Sequence, residues 1–173
     1  MPTLSLLFVC LGNICRSPLA EGALRQAARQ QGLDLTLDSA ATGHWHVGRP
    51  PDPRAIAAAR RNGVDISSLR ARQVTADDFT RFDHLIALDR QNLADLRRLA
   101  PAGATARLSL LNDHVPGREG QGVATPTPAP TPTSTRPGPT SRQPRRGWCG
   151  CSADSPLPWE RGLGVRGSPS PSA

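Results

Sequence analysis

The run Leu4-Ser5-Leu6-Leu7-Phe8-Val9-Cys10, followed by Leu11-Gly12-Asn13-Ile14-Cys15-Arg16 and then Ser17-Pro18, decides the fold. A near-continuous apolar run of this length is the pattern of a strand buried on both faces. The loop after it is short. Ser17-Pro18 reads as a helix start, with Ser17 as N-cap and Pro18 at the first helical position. Ala20, Ala23, Leu24, Ala27 and Ala28 then recur at helical spacing until Gly32. Farther along, Leu33, Leu35 and Leu37 alternate as in a second strand. Arg54–Arg61 is an Ala-rich helix that stops before Gly63. His84–Leu88 is a third strand, and Asp89 caps a helix carrying Leu93, Leu96 and Leu99. Ala106–Leu111 is a fourth strand. Strands alternating with helices predict an α/β fold, an open, doubly wound, parallel four-stranded sheet with flanking helices.

In such a sheet, ligands bind beyond the C-terminal ends of strands, beside a helix N-terminus. Free N–H groups and the helix dipole there favour an anion. Gly12 lets the loop curl, and Asn13 tolerates left-handed backbone. Arg16 offers a planar fork that can hold two phosphate oxygens. Cys10 sits where the same groups would stabilise a thiolate, and the Ser17 hydroxyl could donate to it. A Cys and an Arg separated by five residues put nucleophile and phosphate clamp on one loop, which suits in-line attack on a phosphate monoester. Alone, that spacing recurs by chance, and Cys10 could be a small apolar residue ending a strand. The strand–loop–helix context and Ser17 decide for the catalytic reading.

Composition sets the outer bounds. The chain has 173 residues, enough for one domain, and a formal charge of +7 carried by Arg alone. The Arg residues are scattered, so no nucleic-acid partner is expected. No apolar run approaches the roughly 20 residues that span a bilayer, and the N-terminus lacks the features of a signal peptide. The expected setting is the reducing cytoplasm, with thiols that are catalytic, metal-binding or inert rather than disulfide-bonded; no membrane partner, no cofactor and, on the whole sequence, no metal is expected. Near Gly120 the composition breaks. Residues 121–173 hold 11 of the 18 Pro and six Arg against two acidic residues. A Pro/Thr/Ser/Gly tract of this kind is expected to be disordered. The expected organisation is a folded unit over 1–120 and a tail over 121–173.

Val9–Gly22 resembles the signature of the low-molecular-weight protein-tyrosine phosphatases. The resemblance continues in order through Thr42–Gly48, Pro51–Ala55, Arg70–Gln73 and Phe82–Leu93, and covers about residues 4–118. It implies the fold of those enzymes, a monomer, and hydrolysis of protein phosphotyrosine and small aryl phosphates through a cysteinyl-phosphate. It implies Cys10 as nucleophile, Arg16 as phosphate and transition-state binder, and Ser17 as activator of Cys10. Leu11, Gly12, Asn13, Ile14 and Cys15 would complete the phosphate loop, with Asn13 shaping it, and Trp45 would form a wall for the aryl group. Ile14 is similar to the tyrosine-specific members, since those acting on phosphoarginine tend to have Thr there. Cys15 would form a reversible disulfide with Cys10 that shields it from over-oxidation. Its other reading is a buried packing residue.

The sequence departs from that family at its C-terminal end. The family's general acid is the Asp of an Asp-Pro-Tyr-like segment after the fourth strand, and no such segment occurs here. Asp113 lies in the region but lacks the Pro-aromatic that should come after it, so no general acid is identified. The family's C-terminal helix is also missing. A shifted reading frame accounts for both. With permissible synonymous codons, Val123–Ser134 becomes R-D-P-Y-P-G-T-D-T-D-F, and Thr135–Ala153 becomes an amphipathic helix, with a stop codon at Asp154. On this reading Trp148, Cys149 and Cys151, and the Thr/Pro run Thr125–Thr133, are out-of-frame residues rather than a zinc half-site or a polyproline ligand. The expected activity is a phosphotyrosine phosphatase impaired in acid catalysis. The alternative is a pseudophosphatase that binds phosphotyrosine without turnover.

Overall fold

The computed structural model describes residues 3–124, in the order β1 (Leu4–Cys10), α1 (Arg16–Gln31), β2 (Leu35–Ala41), α2 (Pro53–Arg61), α3 (Asp78–Arg81), β3 (His84–Ala87), α4 (Arg90–Leu99), β4 (Arg107–Leu110) and a 3-10 turn at Leu111–His114. The expectations of a disordered tail and a shifted reading frame beyond residue 124, and the readings of Trp148, Cys149 and Cys151, lie outside the described residues.

The strands form one parallel sheet in the order β2-β1-β3-β4. From β1 the chain crosses outward through α1 to β2, and from β3 it crosses the other way through α4 to β4. The strand order therefore reverses between β1 and β3, and that switch point is where an open α/β sheet opens a crevice at its C-terminal edge. Alternation along β1 feeds both faces. Leu7 and Val9 join Phe79, Phe82, Leu93 and Leu96 under α3 and α4. Leu6, Phe8 and Cys10 join Ala20 and Leu37 under α1. A third cluster of Ala55, Ala59, Val64 and Ile66 packs α2 against α1, and Cys15 leans on it.

Several boundaries differ from the sequence reading. Ser17 is not the N-cap. The helix starts two residues earlier than expected, at Arg16, with Cys15 at the capping position and no side-chain cap bond. The Ser17 hydroxyl faces Cys10 instead, and a hydroxyl turned inward onto a thiol cannot also satisfy the helix's first N–H groups. Pro18 is consequently the third helical residue. Gly32 does close the helix in a left-handed conformation with φ 65°. β2 begins at Leu35, because the Leu33 N–H is spent on the Ala28 carbonyl of the helix end. α3 carries no sequence signal, since four residues are too few to display a period. Packing continues past Gly120. The Val123 N–H donates to the Leu88 carbonyl at 2.6 Å, and Val123 leans on the cluster under α1. Among the described residues no helix is long and apolar enough to cross a membrane.

Candidate active site

The loop between β1 and α1 curls around the Cys10 sulfur. Ser17 Oγ lies 3.0 Å from Cys10 Sγ, and the Asn13 N–H donates to the same sulfur at 3.3 Å. Asn13 makes the curl possible. It is the one non-glycine residue at positive φ among the described residues, at 52°. Left-handed backbone costs an L-residue about 1–2 kcal/mol, and Asn offsets this through its side-chain bonds. Its Nδ2 donates to Ser17 Oγ and to Ser39 Oγ, each at 2.9 Å, and its Oδ1 accepts from the Arg72 N–H at 3.0 Å. Because Asn13 Nδ2 can only donate, Ser17 Oγ is an acceptor in that bond. The Ser17 proton is thus available for the sulfur, and Ser17 is the one partner of the pair able to donate to a thiolate.

This network reaches beyond the loop. Ser39 Oγ donates to Glu21 Oε2 at 2.6 Å, and Glu21 Oε1 accepts from Arg25. Glu21 is 1 % exposed. Burial pushes its carboxyl up from the ordinary value, against the opposing pull of Ser39 and Arg25. Arg72, whose N–H holds Asn13, is itself clamped by Asp38 and Asp78 at 2.8–3.1 Å. Burial opposes the charge of Asp78, but its bonds to Arg72 and Thr75 prevail and hold it below the usual carboxylate range. Sequence reasoning does not find Glu21, Ser39, Arg72 or Asp78 as parts of the site. Two weak signals exist: an acid among the buried-face alanines of the first helix, and a polar pair, Asp38-Ser39, in the middle of the second strand.

Arg16, the first residue of α1, extends from the same loop. Its Nη1 donates to Asp89 Oδ2 at 2.6 Å and to the Val123 carbonyl at 3.2 Å. Asp89 is the helix cap that its sequence position predicts: its Oδ1 accepts from the Asn92 N–H at 2.7 Å. Its other oxygen spans from β3 to the arginine of β1's loop across the switch point. Among the described residues, Arg16 Nε and Nη2 have no hydrogen-bond partner.

The segment 42–54 docks on the loop through backbone bonds. Thr42 N donates to the Cys10 carbonyl at 2.9 Å, Gly43 N to Leu11 at 3.0 Å and Asp52 N to Ile14 at 2.8 Å. Trp45 stands 62 % exposed above this seam, stacked on His44 with ring centroids 5.3 Å apart. It folds back over Gly43, where an added Cβ would fall 1.8 Å from the indole, so only glycine fits under the ring. Leu11 is exposed and Ile14 half-buried. Cys10 and Cys15 belong to different packing clusters. Asp113 is used structurally. Its Oδ2 accepts from Leu110 N at 3.0 Å and its Oδ1 from Gly120 N at 2.7 Å. These two backbone bonds hold its carboxyl low. Among the described residues, no group of three or more His, Cys, Asp or Glu could hold a metal.

Residues 5–134 match the family model described as low molecular weight phosphotyrosine protein phosphatase. A Schizosaccharomyces pombe protein of that name is 42% identical over 118 residues, covering 66% of this chain and 75% of its own length. Among solved structures, YfkJ from Bacillus subtilis aligns with a TM-score of 0.69 at 40% identity, over 73% of this chain and 80% of that one. A Drosophila arginine phosphatase aligns with a TM-score of 0.61 at 33% identity, over 64% of this chain and 72% of that one.

Proposed function

The chain belongs to the low molecular weight phosphotyrosine protein phosphatase family, and we propose that Cys10 is its nucleophile toward phosphotyrosine and small aryl phosphates. The observation that carries this reading is the pair of donors on one sulfur, the Ser17 hydroxyl at 3.0 Å and the Asn13 N–H at 3.3 Å, on a loop that also bears Arg16. Both favour the thiolate, the reactive form. The phosphoryl oxygens bind the loop N–H groups and the free edge of Arg16. The Cys10 sulfur then attacks phosphorus as the phosphorus–oxygen bond to the aryl group breaks, giving a cysteinyl-phosphate and a phenolate. Water attacks phosphorus next, the sulfur–phosphorus bond breaks, and inorganic phosphate and the thiolate separate. The guanidinium and N–H groups stabilise charge on the three equatorial oxygens in both steps. Ile14 supports a phosphotyrosine rather than a phosphoarginine substrate, and Trp45 is the wall for the ring.

Leaving-group protonation is the weak step. Asp113 has both oxygens on backbone N–H groups, and Asp89 is shared between Arg16 and the α4 cap. Neither is free to deliver a proton, so the phenolate draws its proton from solvent. Losing a positioned general acid costs about 10²–10⁴-fold. A series of aryl phosphates with leaving groups of rising basicity tests this. The expected result is turnover of activated esters, a steep fall with leaving-group basicity, and complete loss of turnover in Cys10→Ser. A flat series would place an acid in the site. No turnover even of the most activated ester, with vanadate still bound, would favour the second reading, a module that binds phosphotyrosine without hydrolysing it.

A further inference from the structure

A groove of about 460 Å³ crosses the sheet face under α1, and none of its lining residues belongs to the Cys10 loop. Leu6 and Phe8 of β1 and Ile86 of β3 form its floor. Leu24 of α1 stands on one side and Leu111 of the 3-10 turn on the other. Leu4 and Leu33, two large apolar side chains that are exposed, carry the lining out to the surface. A trough of this size and apolarity is within the range of small-molecule sites, which add a few placed polar groups to fix orientation.

Those polar groups gather at one place and share one sign. His84 lies in the floor beside Leu6, its partner in register, and His114 lies in the wall. The two rings meet edge to face with centroids 6.4 Å apart. Ser109 Oγ is 2.9 Å from His114 Nε2. A hydroxyl donating to Nε2 leaves the ring proton on Nδ1, so a neutral His114 still has an N–H to give. Parallel pairing aligns Arg107 with His84 and Ser109 with Ile86, which sets both on this same face of the sheet. Arg107 is exposed and, among the described residues, has no ion-pair partner. No carboxylate lines the groove. The acids next to the two imidazoles in sequence are already engaged, Asp83 by Ser5 and Asp113 by the Leu110 and Gly120 N–H groups. An apolar trough that ends on N–H donors and a guanidinium complements an alkyl chain with an anionic head.

We propose that this groove binds a fatty acid, its alkyl chain along Leu6, Phe8 and Ile86 and its carboxylate at His84, His114 and Arg107. The test is calorimetric titration of the full chain with octanoate, decanoate and laurate below their micellar concentrations, with decanol as the uncharged comparison. Affinity should rise about fourfold with each methylene buried, hence by about tenfold or more between successive acids. Exposed charge pairs are individually weak, so decanoate is expected to bind several-fold tighter than decanol. That preference should shrink at high salt. In Arg107→Glu it should fall to about one or invert, and because the readout is a ratio, a general loss of affinity does not imitate that result. Leu24→Asp, which sets a carboxylate against the trough, should abolish binding of every probe. Should that variant fail to fold, Arg107→Glu, a change to an exposed side chain, still decides. Affinity that does not depend on chain length, equal binding of decanoate and decanol, or an unchanged preference in Arg107→Glu overturns the fatty-acid site. A full chain that binds none of the probes overturns it too, whether another part of the chain or a second copy then holds the groove.

Discussion

Replacing Ser17 with Ala isolates the bond on which the proposed role of Cys10 as nucleophile depends. Ser17 is fully buried, and its oxygen has two partners: it accepts from Asn13 Nδ2 at 2.9 Å and meets Cys10 Sγ at 3.0 Å. For folding, the substitution removes one neutral hydrogen bond and leaves Asn13 Nδ2 with Ser39 as its remaining partner, a cost of about 1–2 kcal/mol. For the thiolate the loss is larger, since a hydrogen bond to a charged group is worth about 1.5–3 kcal/mol. At 1.4 kcal/mol per tenfold, the rate at which the Cys10 sulfur attacks should fall by about 10- to 150-fold. The assay is alkylation by iodoacetate at neutral pH, with Cys10 and Cys15 distinguished by peptide mass and a thermal melt run in parallel. The expected outcome is slow alkylation at Cys10, an unchanged rate at Cys15, and a melt lowered by only several degrees. Ser17→Ala that stays folded and alkylates at Cys10 as fast as the parent would refute the argument that the Ser17 proton supports the sulfur.

The same network and its surroundings carry three more expectations. Burial raises the Glu21 carboxyl from its ordinary value, so the stability its neutral form contributes is fully present below the unfolded value and is lost as pH rises through the raised one; Glu21→Gln, neutral at every pH, should melt nearest the parent at acidic pH and gain on it as pH rises, and a difference between the two melts that does not change with pH would contradict the assignment. Gly43→Ala drives a Cβ into the Trp45 ring, but that ring is exposed and can swing away, so stability should change by less than about 1 kcal/mol while KM for aryl phosphates rises; an unchanged KM would remove Trp45 from the substrate wall. Restoring the alternative reading frame should supply a helix whose apolar side chains, each worth about 1.5–3 kcal/mol when buried, fill the groove of about 460 Å³ lined by Leu24, Ala27, Leu35, Ile86, Leu111 and Val115. At about 4–8 °C per kcal/mol the melt should rise by more than about 10 °C, and hydrolysis of phosphotyrosine should gain more than hydrolysis of an activated ester; equal melts and equal ratios of the two rates would sink the frame argument.

What the sequence could disclose depended on how local each determinant is. The Cys10 loop was legible because its chemistry is contiguous: the strand that aims the sulfur, the residue that takes positive φ, the arginine and the hydroxyl all fall between Leu4 and Ser17. The same compactness caused the one error there. Ser followed by Pro is a good helix start on local grounds, yet Ser17 has a single hydroxyl, and the thiol seven residues earlier takes it. No helix propensity contains that competitor. The strands were found for a similar reason, since an apolar run buried on both faces declares itself, whereas the four residues of α3 are held by tertiary bonds, such as those from the Thr105 and Ala106 N–H groups to the Phe79 carbonyl, that no short window displays.

The supporting shell was not legible because register, rather than motif, assembles it. Parallel pairing sets Phe8 beside Ser39 and Cys10 beside Ala41, and that register brings Ser39 within reach of Asn13 from one side and Glu21 from the other. A slip of one residue would turn Ser39 to the opposite face and leave Glu21 buried with Arg25 alone. Asp89 depends on topology in the same way. It reaches Arg16 only because β3, distant in sequence, lies next to β1, and because the chain leaves these two strands in opposite directions. The position of the strand-order reversal therefore does two things at once. It places the Cys10 loop at the C-terminal edge of the sheet, and it sets the carboxylate after β3 against the guanidinium after β1, so that Arg16 is held by a residue 73 positions away.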